Sequence, residues 1–223
     1  MSHEALLRHA RALLGATLAE LADGLGLPVP VGAVKTKGWS GQIIERELGA
    51  GDGASGANLG PDFAALGIEL KTVPVRDGLV PLESTAVCHI DPVTIAGESW
   101  TTSYVRTKLA RVLFVALEIP GGGRSVGQRS VVAVRLWTPS PDEEESLRAD
   151  FELFVRNYFR MGRAAEITGH LGTVMQVRPK ARNSADLCPA FGPDGKPVLI
   201  GRCGFYLRPD FIHGILNGGD TLR

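Results

Sequence analysis

The chain is expected to be an α/β protein, a mixed β-sheet flanked by helices, on three observations. Residues 67–75 alternate charged and apolar side chains, the period of a strand. Residues 84–90, 111–119 and 130–137 are runs of strand length rich in β-branched and apolar residues. Helical segments with start signals of their own stand around these runs. At 223 residues and 44% hydrophobic content the chain can bury a substantial core, so it is read as one domain, 1–223.

Leu6, Leu7, Ala10, Leu13 and Leu14 fall at helical spacing, and Thr17 with Glu20 after Gly15 forms a capping-box pattern that opens a second short helix. From Trp39 to Leu48 a third helix puts Ile43, Ile44 and Leu48 on one face and stops at Gly49. These make a helical N-terminal part, about 1–50. Gly49 to Gly60 holds five glycines and little bulk and reads as a loop. A strand region follows at about 60–90, and a helix over 101–110 separates the strands 84–90 and 111–119. The clearest helix starts at Ser140, with Pro141 at its first position and Asp142 to Glu145 at the positive end of its dipole. Its Leu147, Phe151, Phe154 and Tyr158 are spaced for burial against a sheet rather than for stacking on bases. A further strand is expected over 173–178.

The run Gly67-Ile68-Glu69-Leu70-Lys71-Thr72-Val73 carries the chemistry. Residues two apart share a face, so Glu69, Lys71 and Val73 point one way, toward a cleft, and Ile68, Leu70 and Thr72 the other, toward the core. Asp62, after the turn at Gly60-Pro61, brings a second carboxylate to the head of this strand. Carboxylate oxygens are the hard ligands that Mg²⁺ takes, and a metal so held orients water and neutralises charge on a phosphate. Lys71 adds a point charge. The pattern reads as a metal-dependent phosphodiesterase site. A Glu-x-Lys triplet nevertheless arises by chance roughly once in a chain of this length, and on most strands it is a solvated face.

Composition narrows the field. Lys plus Arg and Asp plus Glu are 24 each, a formal charge of zero, which argues against strong unaided binding to nucleic acid. The odd, widely spaced Cys88, Cys188 and Cys203 suit a reducing compartment and no zinc or disulfide framework, and Cys88-His89 reads as structural because neighbours on a strand face opposite ways. The N-terminus lacks a basic stretch followed by an apolar core, and no apolar run has the length of a membrane span, so a soluble cytoplasmic protein is expected. Cations for DNA are concentrated in the C-terminal half: Arg156, Arg160, Arg163, Arg178, Lys180, Arg182, Arg202 and Arg208. No nucleophile elbow or Walker loop offers another site.

Lys37-Gly38-Trp39-Ser40-Gly41, the stretch Asp62 to Thr72, Pro81-Leu82-Glu83-Ser84-Thr85, Arg178-Pro179-Lys180-Ala181 and Gly204-Phe205-Tyr206-Leu207 together closely resemble the MutH family of methyl-directed mismatch-repair endonucleases. The resemblance runs in order from about Leu13 to Phe211. It implies a restriction-endonuclease-like fold with two lobes around a DNA-binding cleft. It implies a Mg²⁺-dependent enzyme, a monomer with one site, that nicks the unmethylated strand of hemimethylated GATC in double-stranded DNA, leaving a 3′-hydroxyl and a 5′-phosphate. Activation by MutL, and by MutS through MutL, is implied too.

Matched by position, Asp62 and Glu69 become metal ligands, Lys71 the catalytic lysine and Glu45 an additional acid assisting at the metal. Lys37 and Lys108 match DNA-contacting lysines. Arg178, Pro179 and Lys180 match the stretch that reaches into the groove, where an arginine can read guanine, and Tyr206 matches the tyrosine that senses adenine methylation; these lie in a DNA-recognition part, about 170–223. Departures are confined to turns such as Gly121 to Arg124 and Phe191 to Lys196, and to a short tail past Leu216 that bears on MutL coupling. A stand-alone GATC restriction enzyme and a non-catalytic DNA-binding module on the same fold are the alternatives.

Overall fold

The computed structural model describes residues 1–31, 38–50, 60–119, 121, 125–181, 183 and 185–218. Lys37, Arg182, most of the expected glycine loop, most of the Gly121 to Arg124 turn and the tail beyond Gly218 lie outside the described residues. The chain divides into two compact units: residues 1–83, 110–138 and 212–223 form the first, and 84–109 with 139–211 the second.

The first unit holds a four-stranded sheet in the order β2–β1–β4–β5, made of β1 (Glu69–Arg76), β2 (Val80–Pro81), β4 (Val112–Glu118) and β5 (Ser130–Trp137). β1 runs parallel to β4, with Glu69 opposite Val112 and Lys71 opposite Phe114, and the other pairings are antiparallel. The sheet is therefore mixed, as the pattern of runs required. Helices α1 (His3–Ala12), α2 (Leu18–Gly24) and α3 (Trp39–Glu47) supply Leu6, Ala10, Leu18, Ala22, Ile43 and Ile44 to a core that also takes Ile68, Leu70, Leu113 and Val115. α2 opens with the anticipated capping box: Thr17 Oγ1 accepts from Glu20 N–H, and Glu20 accepts from Thr17 N–H. α3 is followed by Gly49 at φ +69°, the left-handed stop that glycine adopts without strain.

The second unit contains a three-stranded antiparallel sheet, β3–β9–β6, built from β3 (Thr85–His89), β6 (Met175–Pro179) and β9 (Cys203–Leu207). A hairpin of β7 (Leu187–Phe191) and β8 (Pro197–Gly201) joins β6 to β9 in sequence. Short helices α4 (Pro92–Ile95) and α5 (Tyr104–Leu109) follow β3, and α6 (Pro141–Phe154) follows β5. α7 (Pro209–Leu216) closes the described chain. Ser140 caps α6 as expected, and Glu143 completes a capping box with it.

Phe151 and Phe154 of α6 pack on Phe205 of β9, with ring centroids 5.9 and 6.1 Å apart. The Asp150 carboxylate, one residue from this contact, accepts from the backbone N–H groups of Thr173, Val174 and Met175 and so fixes the start of β6.

Two expectations shift. The stripe Leu147, Phe151, Phe154 does not continue to a buried Tyr158, because residues 155–159 form a π-helical turn whose wider spacing buries Val155 and Phe159 instead and leaves Tyr158 half-buried. The helix expected from Thr101 begins at Tyr104, after a 3₁₀ turn over Trp100–Thr102 whose end is held by the Ser103 hydroxyl donating to Trp100 C=O.

Candidate active site and DNA-recognition face

A 3₁₀ turn over Ala64–Leu66 folds the chain back so that Phe63 and Ile68 pair, with Phe63 N–H donating to Ile68 C=O at 2.8 Å. Gly67 closes this turn at φ +63°. The reversal brings Asp62 to the head of β1, where its Oδ2 accepts from Leu70 N–H at 2.8 Å. Glu69 is 1% exposed, and Lys71 Nζ donates to its Oε1 at 2.6 Å. Asp62, Glu69 and Lys71 are thus brought together at one end of one strand.

The expected division of β1 into a core face and an open charged face needs correcting. Leu70 enters the helix-covered core, but Val73 and Val75, on the face of Glu69 and Lys71, are also completely buried. Both faces of β1 are therefore covered, as in a strand running parallel to its neighbour within a sheet. A solvated-face reading of Glu69 is ruled out by its burial. An ionised carboxylate taken out of water needs a compensating cation, and Lys71 is placed to be one.

Glu45 comes from α3, on the helix-covered side of the sheet. Its Oε1 and the Thr72 Oγ1 lie 3.7 and 3.8 Å from where a Cβ on Gly41 would stand, so it sits beside β1 near the hydroxyl of Thr72. Among the described residues no group of three or more His, Cys, Asp or Glu is arranged to hold a metal. The donor chemistry of Asp62 and Glu69 still fits a hard divalent cation, since Mg²⁺ needs only one or two carboxylates when phosphate oxygens and water complete its shell.

In the second unit, β6 and β9 alternate so that Gln176 stands opposite Tyr206 and Arg178 opposite Gly204. Gln176, Arg178, Gly204 and Tyr206 therefore share one face, while Val177, Phe205 and Leu207 are buried on the other. Lys180 follows on the first face, with Nζ 5.9 Å from the Tyr206 ring centroid. A Cβ at Gly204 would lie 2.6 Å from Cys88 C=O and 3.2 Å from Lys180 Cδ, so glycine there allows the lysine stem to cross the strand. Tyr206 is half-buried on this polar face and is not a core residue. Pro179 ends β6 at the sheet edge, where a missing N–H costs no ladder bond.

Most of the other C-terminal cations have intramolecular partners. Arg156 pairs with Glu152, Arg163 with Glu166 and Arg202 with Asp186, while Arg160 donates to Ala96 C=O and Arg208 to Gly169 and Leu171 C=O. Lys108, on α5, is 8% exposed, with Nζ 5.5 Å from the Tyr104 ring centroid. Gln176, and Ser84 beyond its place in the stretch Pro81 to Thr85, had no role assigned in the sequence, and both are buried and polar. The alternation Gln176-x-Arg178-x-Lys180 was the signal that places Gln176 on the cationic face.

A mixed sheet flanked by helices, with two carboxylates and a lysine at the head of a central strand, defines an α/β protein of the restriction-endonuclease-like class. The family model described as "DNA mismatch repair enzyme MutH" matches residues 53–150. The chain is 42% identical over 217 residues to the DNA mismatch repair protein MutH of Pectobacterium atrosepticum, covering 96% of this chain and 91% of that one. It is 41% identical to the protein of the same name from Vibrio cholerae, covering 96% of this chain and 95% of that one. To that of Salmonella paratyphi C it is 43% identical, covering 96% and 91%. The chain belongs to the MutH family.

Proposed function

We propose that this chain is a Mg²⁺-dependent endodeoxyribonuclease that nicks the unmethylated strand at hemimethylated GATC sites in methyl-directed mismatch repair, activated by MutL, with MutS acting through MutL. The observation that carries the reading is the buried Glu69 held by Lys71 beside Asp62, in a chain of this family. The same reading takes residues 1–223 as a single endonuclease domain that acts as a monomer in the cytoplasm. No helix among the described residues is long and apolar enough to cross a membrane.

Asp62 and Glu69, with Glu45 as the additional acid, would hold Mg²⁺, which when bound supplies Lewis-acid stabilisation of the phosphate and a more acidic water. The Leu70 N–H holds the Asp62 carboxylate in one orientation. Lys71 keeps the buried Glu69 compensated, and an ammonium has further N–H donors for a phosphate oxygen on which charge builds. Lys37 and Lys108 are assigned to the DNA backbone. Arg178, with Pro179 and Lys180, reads the GATC edge in the groove, and Tyr206 senses the adenine methyl group. One site per chain cuts one strand, so the product is a nick.

The test is a plasmid carrying one hemimethylated GATC, incubated with Mg²⁺ with and without MutL and ATP, and scored for nicked against linear DNA. Partner-stimulated nicking of the unmethylated strand is expected, and Asp62→Ala, Glu69→Ala and Lys71→Ala should each abolish it while leaving the fold intact. Methylation-blind linearisation without a partner would replace this reading by a restriction enzyme, and full activity of Glu69→Ala would end it.

A further inference from the structure

Ser84 stands immediately before β3 and is 9% exposed. Its hydroxyl oxygen accepts from Gln176 Nε2 at 2.6 Å and from Arg178 Nη1 at 3.2 Å. A serine oxygen has two lone pairs, so these two donors use its whole accepting capacity. Gln176 is 5% exposed, and its amide cannot exchange this partner for water without cost. Arg178 is exposed, a long side chain with many rotamers, and this bond ties its guanidinium to a buried anchor. The register puts the pair beside Tyr206, because Gln176 faces Tyr206 across the β6–β9 ladder and Arg178 faces Gly204, which has no side chain to obstruct it.

We propose that Ser84 is a positioning residue for sequence recognition: together with Gln176 it aims the Arg178 guanidinium beside Tyr206 before DNA arrives. The proposal rests on the recognition role assigned to Arg178 above. Holding a flexible side chain in its bound orientation removes an ordering cost from binding, and a planar guanidinium reads a base edge only when its fork is aligned. Released from Ser84, Arg178 would keep its charge but lose its aim. Sequence discrimination is therefore the quantity that should change, and general attraction to DNA should not.

The experiment compares binding of the full chain, at low salt, to a GATC duplex and to the same duplex with one base pair of the tetranucleotide changed at each position in turn. Ser84→Ala should lower the discrimination against the changed duplexes about tenfold at the position read by Arg178, with binding to a duplex lacking GATC unchanged. Ser84→Thr, which keeps the oxygen, should restore it. Ser84→Ala combined with Arg178→Ala should be no worse than Arg178→Ala alone, because both act through one side chain. If the orphaned Gln176 amide unfolds Ser84→Ala, the double variant Ser84→Ala, Gln176→Leu removes the orphan and should show the same loss of discrimination. Full discrimination in a folded Ser84 variant, with Arg178→Ala impaired, overturns the positioning role alone. Full discrimination in Arg178→Ala overturns the recognition reading and this proposal with it.

Discussion

Glu69 and Lys71 form a pair whose members depend on each other unequally. Glu69 is nearly inaccessible and Lys71 keeps 21% of its side chain exposed, so losing the lysine takes the cation away from a buried carboxylate, while losing the acid leaves an amine that can reach water. Lys71→Met is expected to destabilise the protein by roughly 3 kcal/mol at neutral pH. The combined Glu69→Gln, Lys71→Met variant should recover most of that stability and none of the activity, as urea midpoints and a nicking assay would show. Glu98 gives a second prediction, this time of pH dependence. Burial raises its pKa, an N–H bond from Tyr104 opposes that, Asp91 reinforces it, and its Oε2 is buried without a hydrogen-bond partner. The folded pKa lies above the unfolded one, so the folded state binds more protons between them and stability falls as pH rises through that window. Glu98→Gln should therefore raise the urea midpoint at pH 7, with no gain below the ordinary glutamate range. A midpoint shift that is the same at pH 4 and pH 7 would refute this. At this scale the sequence disclosed which side chains share a face, because strand alternation is strictly local. It did not disclose that Glu69 is buried, since that depends on β4, some forty residues on, lying beside the start of β1, and on what covers the sheet there.

Elements were legible wherever their punctuation is local. The capping box at Thr17, the cap at Ser140, the stop at Gly49 and the bounds of β5 all depend on residues within one turn or one strand. The π-turn after Phe154 was not legible, because an extra residue in a helix leaves no mark on composition, and the aromatic stripe was extrapolated one turn too far onto Tyr158. The tie between α6 and β6 was equally hidden: Asp150 looks like one more surface acid of an acidic helix, yet it is 4% exposed and accepts three successive backbone N–H groups. Asp150→Ala would orphan those donors and is expected to cost about 4 kcal/mol, several times the roughly 1 kcal/mol expected for Ser140→Ala at the helix cap. Chemical denaturation of the two variants side by side checks the order. Equal losses would mean that water replaces Asp150 at the start of β6.

Taken whole, the molecule carries 24 cationic and 24 anionic side chains, and much of its C-terminal arginine is engaged by its own carboxylates and carbonyls. The affinity of a protein for a DNA backbone grows with the phosphates its cations neutralise, and each such contact steepens the salt dependence by close to one unit of slope. A neutral chain with few cations turned to DNA should therefore bind weakly alone and lose little affinity as salt rises. The expected plot of log affinity against log salt has a slope of only about −2 to −3, the value for two or three phosphate contacts. Lys37→Ala should reduce that slope by about one unit and weaken all sequences alike, whereas Arg178→Ala should leave the slope nearly as it was and relax discrimination at one base pair. Weak intrinsic attraction also makes partner control effective, because a nuclease that does not hold DNA tightly by itself cuts mainly where a partner supplies the missing binding energy. Titrating a fluorescent GATC duplex at several salt concentrations decides the matter. Nanomolar binding that survives physiological salt without a partner would contradict this account of the charge balance, and the proposed control by a partner would then have to act on the chemical step.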